Sequence, residues 1–351
     1  MKIKITEELI RRLPKTDLHV HLDGSLRLES LLEMAQEQEV SLPAEDIEGL
    51  REIIVCDENT QSLEEYLRGF HIVNLVLQTK EGLFRAAYEL AEDAAKENTR
   101  YMEVRYAPVL HSLKGLSDDE IVESVLEGLA EAEKNFGIKT GLIICGIRNM
   151  ESEISLKMAE LAVRYKNRGV VAFDLAGGEF QNPAIVHKEA YDLAKAHNLF
   201  VTTHAGEAEG AESIKQALHD CGAHRIGHGT RLFEDPDLLN YVNDLRIPLE
   251  VCLISNLHTK AVDSLAAHPF KGYLDKGLRV SLNTDNRVIS DTTLTKEYLT
   301  AAECFELDFA QIERIILNGF KSAFLPYNEK RELIQAATDE IKAIKQEFIQ
   351  R

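Results

Sequence analysis

Short apolar runs rich in β-branched residues alternate along the chain with longer stretches whose apolar positions return at helical spacing. The runs cover residues 17–22, 101–106, 142–145, 170–173, 200–203, 225–228, 248–252 and 279–282. Most of the segments between them have room for a helix; in 121–136, for example, Ile121, Val122, Val125, Leu126 and Leu129 fall on one helical face. This alternation is how a parallel sheet with crossover helices is encoded. Eight such units predict an α/β fold, one (β/α)8 TIM barrel spanning residues 1–351, and no Pro-, Gly- or Ser-rich linker marks a second domain.

The longest connection, 23–100, follows the first strand and reads as several helices, among them 63–77 and 82–96. It leaves from the C-terminal end of that strand, where barrel active sites are built, so it either covers the site as a lid or adds packing. The tail 329–351 carries Leu333, Ile334, Ala337, Ile341 and Ile344 near helical spacing, a face for the barrel or for a second subunit, with packing inside the chain the preferred expectation. Oligomeric state is not legible.

Charge and cysteine usage narrow the partners. With 40 Lys+Arg against 59 Asp+Glu the net charge is −19, the wrong sign for a phosphate backbone, so no nucleic acid is expected. The five cysteines, Cys56, Cys145, Cys221, Cys252 and Cys304, are odd in number and never spaced Cys-x-x-Cys. They suit neither a disulfide framework nor a thiolate metal site, and point to a reducing, cytoplasmic compartment. Glu7, Glu8, Arg11 and Arg12 interrupt the first residues where a signal peptide needs an apolar stretch, and no run approaches the roughly 20 apolar residues of a membrane span.

Three strands finish on metal-ligand residue types. His19 and His21 alternate on the first strand and so share a face, the inner one if Leu18 and Val20 point outward. Two adjacent buried imidazoles without a partner are costly, which favours a metal over two separately satisfied histidines. His204 ends the fifth strand and Asp285 the eighth, and three imidazoles with one carboxylate suit zinc, or iron, cobalt or manganese, better than calcium or magnesium. Glu207 follows His204 closely enough to share its pocket, unless it merely occupies the first turn of the next helix. His228, flanked by glycines at the end of the sixth strand, is a proton-handling group, a fourth ligand or a buried structural histidine. His71, His111, His197, His219, His224, His258 and His268 are expected on the surface or in loops, with Ser255 and Asn256 as candidate pocket neighbours.

Taken in order, His19-x-His21-Leu-Asp-Gly24, Leu175-Ala-Gly177, His204-Ala-Gly-Glu207, Gly227-His-Gly229 and Asn283-Thr-Asp285 resemble the motifs of the adenosine deaminase family of zinc amidohydrolases. The resemblance runs over essentially the whole chain and includes the stretch around Phe70 and 102–108. It implies one zinc ion per chain on His19, His21, His204 and Asp285, with an open position for a water acidified by the metal. It also implies hydrolytic deamination of adenosine and 2′-deoxyadenosine to inosine and deoxyinosine, a purine-salvage step, with Glu207, His228 and Asp285 as catalytic groups. Glu207 would protonate N1, while His228 and Asp285 orient the water and take its proton. His21, Asp23, Gly177 and Asn286 would contact the substrate, a small purine nucleoside: Gly177 at N3, Asp23 at the ribose hydroxyls and Asn286 at N7.

Three positions have a plainer reading: Gly177 as a turn glycine, Asp23 as a cap for a helix over 26–34, Phe70 as core rather than pocket wall. Asn286 stands where the family commonly has aspartate, and Arg287 where it commonly has proline; an asparagine amide donates at every pH. The fourth strand runs into 174–179 without the lysine that bridges two metals in some related barrels, which favours a single ion. Rival readings are an adenine, AMP or modified-adenosine deaminase on the same scaffold. Related adenine deaminases tend to carry glutamate at the position of Asp23, and AMP would require basic residues near the site. A cytidine-deaminase zinc site is set aside because His187-Lys-Glu189 is not followed by Pro-Cys-x-x-Cys. A non-catalytic relative would have lost ligands or proton carriers that are all present here.

Overall fold

The computed structural model describes residues 3–57 and 59–350. Among them, eight strands pair in chain order, each parallel to the next: β1 (Lys15–His21), β2 (Thr99–Tyr106), β3 (Lys139–Ile147), β4 (Val170–Ala176), β5 (Phe200–Ala205), β6 (Arg225–His228), β7 (Leu249–Val251) and β8 (Val280–Leu282). The ring is drawn shut by a parallel bridge between Val20 and Asp285. There the His21 N–H donates to the Asp285 carbonyl at 2.7 Å and the Asp285 N–H to the His19 carbonyl at 2.8 Å. One layer deeper the Leu18 N–H donates to Asn283 Oδ1 at 2.9 Å.

Each expected run coincides with one of these strands, and the ends differ by no more than three residues. At the start of β3 the added residues are polar: Lys139 and Thr140 pair with Tyr101 and Met102, so the ladder, not apolar composition, carries β3 outward. Helices cover the outer face, and strands buried on both sides leave Leu18, Val20, Val104, Ile144, Val251 and Leu282 without exposure. Inward positions are polar instead: Glu103, Arg105, Asp174, Thr202, Arg225 and Glu250 fill the barrel almost fully buried.

Among the described residues five helices lie between β1 and β2: Leu28–Glu37, Ile47–Ile54, Leu63–Tyr66, Arg68–Asn74 and Lys80–Lys96. The single helix expected over 63–77 is two short ones meeting at Leu67. Leu63 and Tyr66 are buried on one side of that break, while Phe70 on the other lines a cavity at the barrel mouth. The terminal helix Tyr327–Gln350 buries Ala337, Ile341 and Ile344 in the same core as Leu9, Ile10 and Ile312, so it packs on its own chain as expected. Among the described residues no helix is long and apolar enough to cross a membrane.

Candidate active site

Leu18 and Val20 of β1 join the packing outside the strands, which turns His19 and His21 into the barrel. They meet His204 from the end of β5, His228 from the end of β6 and Asp285 just beyond β8. One ligand atom each from His19, His204, His228 and Asp285 lie within 4.8 Å of one another. His21 belongs to the same cluster: its Nε2 is 3.1 Å from His204 Nε2 and 3.4 Å from Asp285 Oδ1. His19 Nε2, 3.3 Å from Asp285 Oδ1, is buried without a hydrogen-bond partner. Buried imidazole nitrogens and a carboxylate converging on one point fit a divalent transition metal, which repays their desolvation.

Carboxylates behind the cluster orient it. His19 Nδ1 is 2.9 Å from Glu250 Oε2, and His204 Nδ1 is 3.0 Å from Asp174 Oδ2. Arg105 donates to both carboxylates, at 2.9 Å to Asp174 and 2.8 Å to Glu250, and Arg225 donates to Glu250 at 2.6 Å. Burial opposes ionisation of Asp174 and Glu250, but His204 and Arg105 beside the first and Arg105 and Arg225 beside the second outweigh it and hold both carboxyls well below the usual range. Such partners fix the tautomer and raise the basicity of a ligating imidazole. Sequence reading assigned none of these four residues a role, although a charged residue at an inward position of a central strand, as in Leu249-Glu-Val251, is itself a signal. Ser255, named as a pocket neighbour, donates to Asp285 Oδ2 at 2.5 Å.

Glu207 lies in the loop ahead of the helix Ala211–His219, so it is not a first-turn residue of that helix. The loop is held by Glu179, which accepts the N–H groups of Gly206, Glu207, Ala208 and Glu209 at 2.6–3.0 Å. Glu207 itself is 6% exposed, and burial, then the charges of Asp285 and Glu179, push its carboxyl well above the usual range. Its Oε2 is 3.6 Å from His228 Nε2. His228 and Asp285 both hold left-handed backbone, φ 62° and 57°. That conformation costs about 1–3 kcal/mol per residue and is tolerated where surroundings over-determine it. Gly227 explains part of the surroundings: a Cβ there would lie 3.0 Å from the His19 ring.

A cavity of about 210 Å³ adjoins the cluster, lined by His21, Asp23, Phe70, Asn74, Cys145 and Gly177 among others. Phe70, half-buried, meets His21 edge to face with centroids 6.1 Å apart, so it is a pocket wall as well as a core contact. Asp23 caps no helix: Leu28–Glu37 begins after Arg27 and has no side-chain cap, while Asp23 Oδ1 is buried without a partner. Gly177 lines this cavity with φ +95°, as a turn glycine would, and a Cβ there would stand 2.9 Å from Asn149 Oδ1. Asn286 Oδ1 is likewise buried without a partner and packs on Gly24, where a Cβ would overlap it at 1.8 Å. A wider cavity of about 900 Å³ opens beside Glu207, with Phe180 and Phe233 on its wall.

The placement expected for the remaining histidines needs correction at three positions. His111, His258 and His268 are buried, at 0%, 8% and 4% exposure, and His111 and His268 are hydrogen-bonded into the structure. Periodicity gave no hint of this because their partners are set by tertiary packing.

The adenosine deaminase family model matches residues 14–340 of the chain. An adenosine deaminase from Clostridium acetobutylicum is 40% identical over 95% of this chain and 99% of its own length. A probable adenosine deaminase from Dictyostelium discoideum is also 40% identical over 95% of this chain, which spans only 44% of that longer protein. Among solved structures, adenine deaminase from Arthrobacter aurescens superposes with a TM-score of 0.88 at 28% identity, covering 94% of this chain and 99% of that one.

Proposed function

The chain belongs to the adenosine deaminase family, and from this we propose that it hydrolyses the C6 amino group of adenosine to give inosine and ammonia. 2′-Deoxyadenosine is the second substrate, since no contact named below requires the 2′-hydroxyl. Three imidazoles and a carboxylate suit zinc, one ion per chain, on His19, His21, His204 and Asp285. When bound, the ion supplies Lewis acidity that makes a water nucleophilic near neutral pH.

The remaining work falls to side chains. Glu207 donates a proton to N1 as oxygen adds at C6, which lets the ring accept the new bond without building negative charge. Asp285 accepts the proton that water gives up and hands it to the amino group as the C6–N bond breaks and ammonia leaves, and His228 lies beside the attacked carbon. Asp23 accepts from a ribose hydroxyl, Gly177 offers its backbone N–H to N3, the Asn286 amide donates to N7, and His21 borders the sugar. The helices between β1 and β2 serve as the lid, with Phe70 against the base.

The observation that carries the reading is a buried Glu207 whose environment favours the protonated form, 3.6 Å from His228 in the cluster fit for a metal. Adenine and AMP are disfavoured by separate features. Asp23 Oδ1 would be left without a donor by a free base. Among the described residues lining the 210 Å³ cavity none is lysine or arginine, so nothing there neutralises a 5′-phosphate. The deciding experiment is ultraviolet-monitored turnover of adenosine, 2′-deoxyadenosine, adenine and AMP by zinc-loaded protein beside a chelated sample. Chelator-sensitive loss of the two nucleosides with little action on adenine or AMP is the expected result; preferential turnover of adenine or AMP would overturn the nucleoside assignment.

A further inference from the structure

Which nitrogen of His228 carries the proton decides what the ring can do, and the answer is set outside the metal cluster. The backbone N–H of Phe270 lies 3.0 Å from His268 Nδ1. A backbone N–H only donates, so that nitrogen is the bare one. His268 is buried, which pushes its pKa down to about 3, and the neutral ring therefore keeps its one proton on Nε2. This N–H meets Asn256 Oδ1 at 3.2 Å, where the Thr230 hydroxyl also arrives at 3.0 Å. The fully buried amide is thereby turned with its oxygen toward His268 and its NH2 toward His228 Nδ1, 3.0 Å away. An amide nitrogen has no lone pair to offer, so His228 Nδ1 must accept.

We infer that this relay, running from the Phe270 N–H through His268 and Asn256, fixes His228 as the Nε2–H tautomer and makes Asn256 and His268 positioning residues for the reaction. Nε2 is the nitrogen facing Glu207. Carrying a proton, it has no lone pair for a metal and none with which to deprotonate water; it is a hydrogen-bond donor. His19 and His204 are held in the opposite state, because their Nδ1 atoms face the carboxylates of Glu250 and Asp174, which accept and leave Nε2 bare. The relay thus separates His228 from the ligands with which distance alone groups it. The proton that water releases goes to the Asp285 carboxylate, while the His228 N–H steadies the attacking oxygen and the negative charge it retains in the transition state.

The catalytic meaning of the relay rests on the deaminase reading; the tautomer does not, and the test separates them. In zinc-loaded protein labelled with ¹⁵N-histidine, the His228 resonances, assigned by their loss in His228→Gln, are expected to show a protonated Nε2 and a bare Nδ1. Asn256→Asp keeps the side-chain shape but can only accept, so it should move the proton to Nδ1. Its kcat should fall by about 100-fold or more, as a wrong tautomer does in other enzymes, with KM within about threefold and bound zinc unchanged. His268→Leu frees the amide to turn and should give both tautomers and an intermediate kcat. A wild-type spectrum with the proton on Nδ1 overturns the inference even if neither Asn256→Asp nor His268→Leu folds, and so does an Asn256→Asp enzyme with undiminished kcat. The expected spectrum without turnover of any aminopurine would support the relay and sink the deaminase reading instead.

Discussion

Glu207 and Asp285 are carboxyl groups in one pocket that environment drives in opposite directions. Burial raises both, but Glu207 next meets the negative charges of Asp285 and Glu179, whereas Asp285 next meets His19, His228 and His21. One keeps its proton and the other gives it up, the arrangement that lets two acids divide donor and acceptor roles. Glu207→Gln cannot deliver a proton yet keeps the size of the side chain. It is expected to retain its full metal content and lose about 10²–10⁴-fold in kcat. Metal analysis and turnover on the same sample check this, and parallel loss of both would move Glu207 into the ligand set. At this scale the sequence was informative wherever a chemically distinctive residue ended an apolar run, as His204, His228 and Asp285 do. It offered Asn256 only as a pocket neighbour and gave His268 no role, because what each does is set by hydrogen bonds to partners brought near by folding.

Between elements, the connection after β8 is tied to the insertion by Glu97, which ends the helix Lys80–Lys96. Its carboxylate takes the guanidinium of Arg287, next to Asn286, and the Thr295 N–H at 2.7 Å. Burial opposes the charge on Glu97, but Arg287 and Thr295 bring its carboxyl down from 4.5 to about 2. Between those values the unfolded chain binds the proton and the folded one does not, so the stability this contact adds is complete above about 4.5 and lost as pH falls toward 2. Glu97→Gln leaves Arg287 buried and unpaired, at a cost of about 3–5 kcal/mol at neutral pH. Denaturant midpoints of both proteins measured across that range should converge as pH falls; a gap that stays constant would contradict the ionic account. The strands themselves were readable because each is an apolar run between helical stretches. The break at Leu67 was not, since Leu63, Tyr66 and Phe70 satisfy a helical period whether or not the helix is continuous.

Across the molecule, the clustered imidazoles of His19, His21, His204 and His228 and the carboxylate of Asp285 are all buried. An ion that binds this cluster only when the chain is folded stabilises the fold by mass action, by about 2.7 kcal/mol at a hundred times its dissociation constant. Stripping the metal with a chelator is expected to lower the Tm, and titrating zinc back should raise it progressively with concentration; a Tm indifferent to zinc would place the ion outside the folded core. The barrel order was legible from eight alternations, but its seam was not. The backbone of Asp285 hydrogen-bonds to both His19 and His21 where β1 meets the segment after β8. A ribosome delivers the two histidines with the first strand and Asp285 only after the eighth. A nascent chain therefore carries no complete set of candidate ligands until its eighth strand is out, and an ion held there marks a barrel whose eight strands have all been made.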